Sequence, residues 1–271
     1  MARDLAGARG RPGRKPALRL NEHRWGSPDA PLVVCLHGVC AHGLRFRRLA
    51  EEHLAPRFQV RALDLRGHGR SGWSEPWTIA QHVDDVLETV TEPAIWIGHS
   101  FGGRLTVGVT ARRPDLVERA VLLDPALWVP PDMAEGIARS ELAKAPYASV
   151  EEAVQARAAS VEHAPPQFLE EELREHLVEQ PDGGWSFRYS TEAVAAAYRE
   201  MATLPPTWES LCVPTLLVVA EHAKLVSAAE LELYRAALGD LLQVAVVPGG
   251  HIVLWDAYEE TAAAIDSFLA A

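Results

Sequence analysis

The pentapeptide Gly98-His99-Ser100-Phe101-Gly102 has the form G-x-S-x-G and constrains the fold more than any other stretch of the chain. It stands where an apolar run, Ala94-Ile95-Trp96-Ile97, meets a helix-like segment, Arg104-Leu105-Thr106-Val107. Glycines around a serine at a strand-to-helix junction describe a sharp turn in which the hydroxyl stands clear of a sheet edge. The following helix aims its free N–H groups at that point, so negative charge developing there meets donors. Ser100 is therefore the candidate nucleophile.

The rest of the chain supplies the sheet that such a turn needs. Short apolar runs recur at Leu18 to Trp25, Leu32 to Leu36, Gln59 to Leu65, Ile95 to Gly98, Ala120 to Leu123, Thr215 to Val219 and Gln243 to Val247. Several are nearly continuous in Val, Leu and Ile, as expected of parallel strands covered on both faces. Between them lie amphipathic segments at Leu44 to Leu54, Ile79 to Val90, Phe101 to Arg113, Ala228 to Leu238 and Trp255 to Leu269. This alternation predicts an α/β fold with a doubly wound, mostly parallel sheet.

One interval breaks the rhythm. Residues 128–208 carry helical periodicity at Asp132 to Lys144, Val150 to Glu162, Pro166 to Val178 and Glu192 to Met201, with a turn at Asp182-Gly183-Gly184 and a short hairpin expected around Trp185 to Tyr189. They read as a helical cap inserted between core strands, over the strand ends where open α/β sheets bind ligands. The core is then residues 17–127 and 209–271, preceded by a flexible basic tail at 1–16.

The net charge of −11 argues against nucleic acid or an anionic lipid surface as the main partner. No stretch approaches the roughly 20 apolar residues of a membrane span. Six of the first 20 residues are Arg or Lys and no apolar h-region follows, so a secretory signal is not expected. Three cysteines, Cys35, Cys40 and Cys212, lack metal-ligand spacing and form no even set, which points to a reducing cytoplasm. No metal or organic cofactor is called for.

A serine needs a base to take its proton. His251 follows Pro248-Gly249-Gly250 after the last strand and precedes the last helix, so its loop reaches the serine's edge of the sheet. It also comes last in chain order, as the base does in the Ser…acid…His arrangement. Two backbone N–H groups complete an oxyanion hole. Phe101 supplies one, directly after the nucleophile, and Val39 the other, in the loop Leu36-His37-Gly38-Val39. His37 is assigned to holding that loop.

Taken together, His37-Gly38, the segment Asp64-Leu65-Arg66-Gly67-His68-Gly69-Arg70-Ser71, the Gly98 to Gly103 turn and Gly249-Gly250-His251 resemble the α/β-hydrolase superfamily, in its small capped esterase and lipase-like branch. The resemblance spans residues 31–271 and implies a Ser-His-acid triad, with the segment at 64–71 as a structural turn. It leaves the acid open. The usual place, after the strand at Thr215, reads Ala220-Glu221-His222-Ala223, with alanine where an aspartate is expected. Other members carry the acid at the end of the preceding strand, which here is Asp124, about two dozen residues after Ser100. Asp124 is favoured, Glu221 is the alternative, and a Ser-His dyad is the remaining arrangement.

Trp73, Trp77 and Trp128 cluster where a pocket is expected, with Met133, Tyr189 and Tyr198 as further cap candidates. Cys40 and His42 follow the oxyanion loop and are candidates to touch the leaving group. An aromatic pocket with no arginine clamp favours a small neutral acyl ester or a lactone. The expected function is carboxylic ester hydrolysis through an acyl-enzyme on Ser100. Lactonase, carbon–carbon bond hydrolase and cofactor-free peroxidase chemistry reuse the same triad, while a serine at position 100 disfavours the aspartate-nucleophile dehalogenases and epoxide hydrolases. A low-turnover ligand-binding receptor is the reading from a different class, and the chain is left as a monomer or homodimer.

Overall fold

A computed structural model describes residues 16–159, 161, 166–204 and 210–270. The expected tail at 1–16 lies outside them but for Pro16, as does the proposed cap's end at 205–208. Seven strands form the main sheet: β1 (Glu22–Trp25), β2 (Leu32–Leu36), β3 (Gln59–Leu63), β4 (Ala94–His99), β5 (Val117–Leu123), β8 (Thr215–Ala220) and β9 (Leu242–Val247). Their order is β1-β3-β2-β4-β5-β8-β9. Only β1 runs antiparallel, against β3. Between β5 and β8 a two-stranded hairpin, β6 (Leu177–Glu179) and β7 (Trp185–Phe187), stands apart.

The helices are α1 (Arg47–Leu49), α2 (Ile79–Thr89), α3 (Phe101–Arg112), α4 (Pro131–Leu142), α5 (Val150–Ala158), α6 (Pro166–His176), α7 (Thr191–Met201), α8 (Ala228–Leu238), α9 (Val253–Asp256) and α10 (Tyr258–Ala270). Period-two alternation divides the core strands between two apolar layers. Val34, Leu36, Trp96 and Leu122 pack with Val83, Val86 and Leu105 from α2 and α3. Val33, Cys35, Ile97 and Val121 pack with Phe46, Leu54, Ile265 and Phe268 on the opposite face. Register pairs Leu36 with Gly98, His99 with Leu123 and Leu123 with Val218, so the parallel strands end at one edge.

Several boundaries differ from expectation. Leu18 to Asn21 do not extend β1, because their N–H groups are taken by side chains: Leu18 by Asp85, Leu20 by Thr89 and Asn21 by Ser71. Leu44 to Leu54 is not one α-helix but a 3₁₀ turn at Gly43–Phe46, α1, and a π-helical turn at Ala50–Leu54. The helix expected to run to Val178 ends at His176, since Leu177–Glu179 pair with Trp185–Phe187 across the turn at Gly183, where φ is +87°. The insertion is therefore helical with one hairpin. Helix α5 ends at Ala158, and residues 160 and 162–165 lie outside the described residues. The last helix is two, broken at Ala257.

The 64–71 segment ties β3 to its surroundings. Asp64 accepts from Asn21 (2.8 Å), His23 (3.1 Å) and the N–H groups of Gly43 (2.8 Å) and Arg70 (2.9 Å). Burial pushes its carboxyl up, but the bonds from His23, Arg70 and Gly43 outweigh that and hold it below the usual carboxylate range. Arg66 meets Asp85 of α2 through two bonds of 2.6 and 2.7 Å, both side chains being buried. Removing one member leaves an uncompensated buried charge. Asp85→Ala is thus expected to cost about 3–5 kcal/mol of stability in urea denaturation.

Candidate active site

Val39, Ser100, Asp124 and His251 sit on loops leaving that common strand edge, and Phe101 opens α3 beside them. Ser100 follows β4 with φ 54° and ψ −117°, a region hostile to a residue with a side chain, and begins α3. Its N–H donates to Leu123 O (3.0 Å), and its carbonyl accepts from Gly103 (3.0 Å) and Ala126 (3.1 Å). The turn closes only because its flanks lack side chains. A Cβ on Gly98 would sit 2.4 Å from Gly102 O, and one on Gly102 would sit 2.0 Å from Leu36 O.

His251 reaches Ser100 from the loop after β9. Its Nε2 lies 2.8 Å from Ser100 Oγ, and its Nδ1 lies 2.6 Å from Asp124 Oδ2. Asp124, at the end of β5, is fully buried with φ 39°, and its other oxygen accepts the Ala220 N–H of β8 at 3.1 Å. A carboxylate on Nδ1 fixes that nitrogen as the N–H donor, which leaves Nε2 free to accept the serine proton. Glu221 is not part of this chain of contacts. Its side chain is exposed, and its N–H donates to Val247 O.

The expected oxyanion donors flank the same point. Phe101 is the first residue of α3, and among the described residues neither its N–H nor that of Val39 donates to a protein acceptor. Two buried imidazoles hold the Val39 loop. His37 donates Nδ1–H to Gly38 O (2.7 Å) while its Nε2 accepts the Leu65 N–H (3.0 Å), and His68 Nε2 lies on Val39 O. His37 thereby fixes the plane of the peptide that carries the Val39 N–H.

The aromatic candidates separate. Trp73 and Trp77 line a cleft of about 560 Å³ together with Lys144, Phe187 and Tyr189. Trp128 is not part of that lining. It is partly exposed, and its indole N–H donates to Ala202 O (3.2 Å). Lys144 was not legible as a pocket residue. It pairs locally with Glu141 (3.4 Å) and donates to Tyr189 Oη (3.0 Å), a contact with a residue distant in sequence. The Tyr189 hydroxyl donates to Glu141 (3.3 Å), and burial raises the nearby Cys40 thiol above its usual range. His42 stacks on His176 at 4.2 Å and lies 3.8 Å from Glu172, which also accepts from Arg45 (2.6 Å) and Trp255 (2.9 Å). Among the described residues no cluster of His, Cys, Asp or Glu is arranged to hold a metal, and no helix is long and apolar enough to cross a membrane.

The serine aminopeptidase S33 family profile matches residues 27–255, most of the chain. The protein belongs to that α/β-hydrolase family. It is a hydrolase. It is 36% identical over 197 residues to lipase LipV of Mycobacterium tuberculosis, covering 70% of this chain and 75% of that one. It is 31% identical over 261 residues to the 2-(acetamidomethylene)succinate hydrolase of Mesorhizobium japonicum, covering 93% and 92%. The crystal structure of E-2-(acetamidomethylene)succinate hydrolase superposes with a TM-score of 0.82 at 29% identity, over 94% of this chain and 96% of that one.

The site is surrounded by neutral imidazoles. Burial pushes His42 and His82 down to about 3, and His37, His68, His99 and His176 are lowered as well, with burial the main cause in each. The unfolded chain protonates each near pH ~6.5, while the folded chain does so only at lower pH. The folded state therefore binds fewer protons below that point, and stability falls with pH from about 6.5 down toward 3. Calorimetry should show Tm declining steadily from pH 7 to pH 5. A flat Tm over that interval would contradict neutral burial.

Proposed function

We propose that this hydrolase cleaves carboxylic esters through an acyl-enzyme on Ser100, with His251 as general base, Asp124 as its orienting acid, and the Val39 and Phe101 N–H groups as the oxyanion hole. The unbroken contact from Asp124 through His251 to Ser100, at 2.6 and 2.8 Å, carries the reading. His251 takes the serine proton as Oγ attacks the ester carbonyl. The electron pair moves to the carbonyl oxygen, facing the two N–H groups. Collapse expels the alkoxide, which receives the proton from His251. Water, deprotonated by the same imidazole, then attacks the acyl carbon and restores the free serine while releasing the acid.

Residues 128–208 act as a cap, and Trp73, Trp77 and Tyr189 contribute apolar contact to the substrate. A neutral acyl group suits a cleft whose cation, Lys144, is balanced by Glu141. A second reading, a substrate bearing its own carboxylate, is supported by the similarity to the 2-(acetamidomethylene)succinate hydrolase of Mesorhizobium japonicum. The three free cysteines, Cys35, Cys40 and Cys212, support a cytoplasmic protein.

Pre-steady-state hydrolysis of p-nitrophenyl esters from acetate to decanoate, with the hemisuccinate beside them, tests both readings. A stoichiometric burst abolished by Ser100→Ala is expected, with chain length sizing the pocket and the hemisuccinate reporting a carboxylate preference. No Ser100-dependent turnover with any of them would remove the ester assignment. Asp124→Asn is expected to lower kcat by roughly 10⁴-fold through the wrong tautomer, and Glu221→Gln to leave it nearly unchanged. The reverse pattern would transfer the acid to Glu221.

A further inference from the structure

The residue between Gly98 and Ser100 takes no part in proton transfer, yet it touches the base. His99 is buried at the end of β4, and its Nε2 lies 3.0 Å from the main-chain oxygen of His251. A carbonyl can only accept, so Nε2 carries the proton and Nδ1 does not. Nδ1 is buried without a hydrogen-bond partner, and it faces Gly38, where a Cβ would come within 3.1 Å of it. The ring is thus a neutral, single-tautomer donor directed at one acceptor. Burial, followed by the nearby His251, keeps it uncharged.

The loop it touches is anchored on both sides of His251, by His222 N–H on Gly249 O and by Trp255 and Asp256 N–H on Ile252 O (2.7 and 2.8 Å), but not at His251 itself. Gly249, at φ +87°, and Gly250 precede His251 and offer no side chains to pack. The His251 side chain is 37% exposed. Among the described residues, no other hydrogen bond is made by the main chain of His251; the nearest anchor before it is His222 N–H to Gly249 O (3.0 Å). The imidazole's bonds to Ser100 and Asp124 constrain the ring, while the His99 bond constrains the backbone from which the ring hangs.

We propose that His99 is a positioning residue for the base, setting the distance from His251 to Ser100 through its bond to the His251 carbonyl. The arrangement closes a circuit: Ser100 Oγ to the His251 ring, His251 O to His99 Nε2, and His99 back to Ser100 along the chain. Nucleophile and base are referenced to two consecutive residues of one strand end, whose backbone is locked in register against Leu123. The two rings lie 4.9 Å apart at 33°, so a charged His99 would oppose the imidazolium formed in turnover. Its neutral state avoids that repulsion.

This role rests on Ser100 and His251 acting as proposed above, so the test reads serine reactivity without choosing a substrate. Labelling of Ser100 by a fluorophosphonate is followed by intact mass for wild type, His99→Leu and His99→Gln, beside kcat and KM on the best p-nitrophenyl ester. Leucine removes the donor. Glutamine keeps an N–H at the reach of Nε2. The leucine variant is expected to label and turn over more slowly, by on the order of tenfold to a hundredfold, with KM nearly unchanged. Glutamine is expected to restore most of both rates. A residue needed only for folding would lower the reactive fraction and Tm, and would leave the rate per reactive site alone. If the leucine variant does not fold, His99→Asn replaces it, since that shorter amide cannot reach the carbonyl. Wild-type rates in the leucine or asparagine variant overturn the proposal, as does a folded glutamine variant no faster than they are. A wild-type protein that never labels at Ser100 removes the nucleophile itself, and the positioning role with it.

Discussion

Everything at this site depends on how closely α3 approaches β2. The helix begins against the carbonyl of Leu36, at a separation that no side chain on Gly102 could share. That contact brings the start of α3, with the Phe101 N–H, beside the loop that carries the Val39 N–H. It also forces Ser100 to a positive φ, because the chain must reverse from strand to helix across that single residue. The strain is over-determined by bonds from Ser100 to Leu123, Gly103 and Ala126. Packing in the sheet holds the hydroxyl where solvent alone would not.

The surrounding polarity is arranged without mobile charge. His37 and His68 grip consecutive carbonyls of the oxyanion loop, and His42 meets His176 face to face between that loop and α6. Burial disfavours the charged form of each, and His37 acts through one fixed N–H and one fixed lone pair. On the proposed mechanism His251 is the imidazole that changes charge, and its neighbours are buried histidines whose charged forms are disfavoured. Formal charges near the core are paired instead, as with Arg66 and Asp85 or Arg45 and Glu172.

Much of the architecture is legible in the sequence because it repeats simple rules. The runs at Leu32, Ile95 and Thr215 are apolar on both faces, and a parallel sheet is the structure that covers both faces. Ser100 and His251 are visible because strained turns need glycine. The insertion is harder to read. Leu177 to Glu179 continues the helical period of α6, and only pairing with Trp185 to Phe187 makes it a strand. Lys144 and Glu172 look like surface charges on their own helices. Their roles arise from contacts with Tyr189, Arg45 and Trp255, which are distant in sequence. Periodicity reports one element at a time and is silent on such meetings.

Asp124 shows what such a sheet preserves. Its two carboxylate oxygens point different ways, one to the base and one to the Ala220 N–H at the end of the neighbouring strand. Strands β5 and β8 are parallel and in register, so their ends lie side by side at one edge of the sheet. A carboxylate launched from either can occupy the same volume, and the strand that does not carry it can offer a main-chain donor to hold it. The location of the charge is thereby separated from the identity of the residue bearing it. Ala223 stands where the sequence alone leads one to expect an acid, and on the proposed reading Asp124 supplies that carboxylate from the neighbouring strand end.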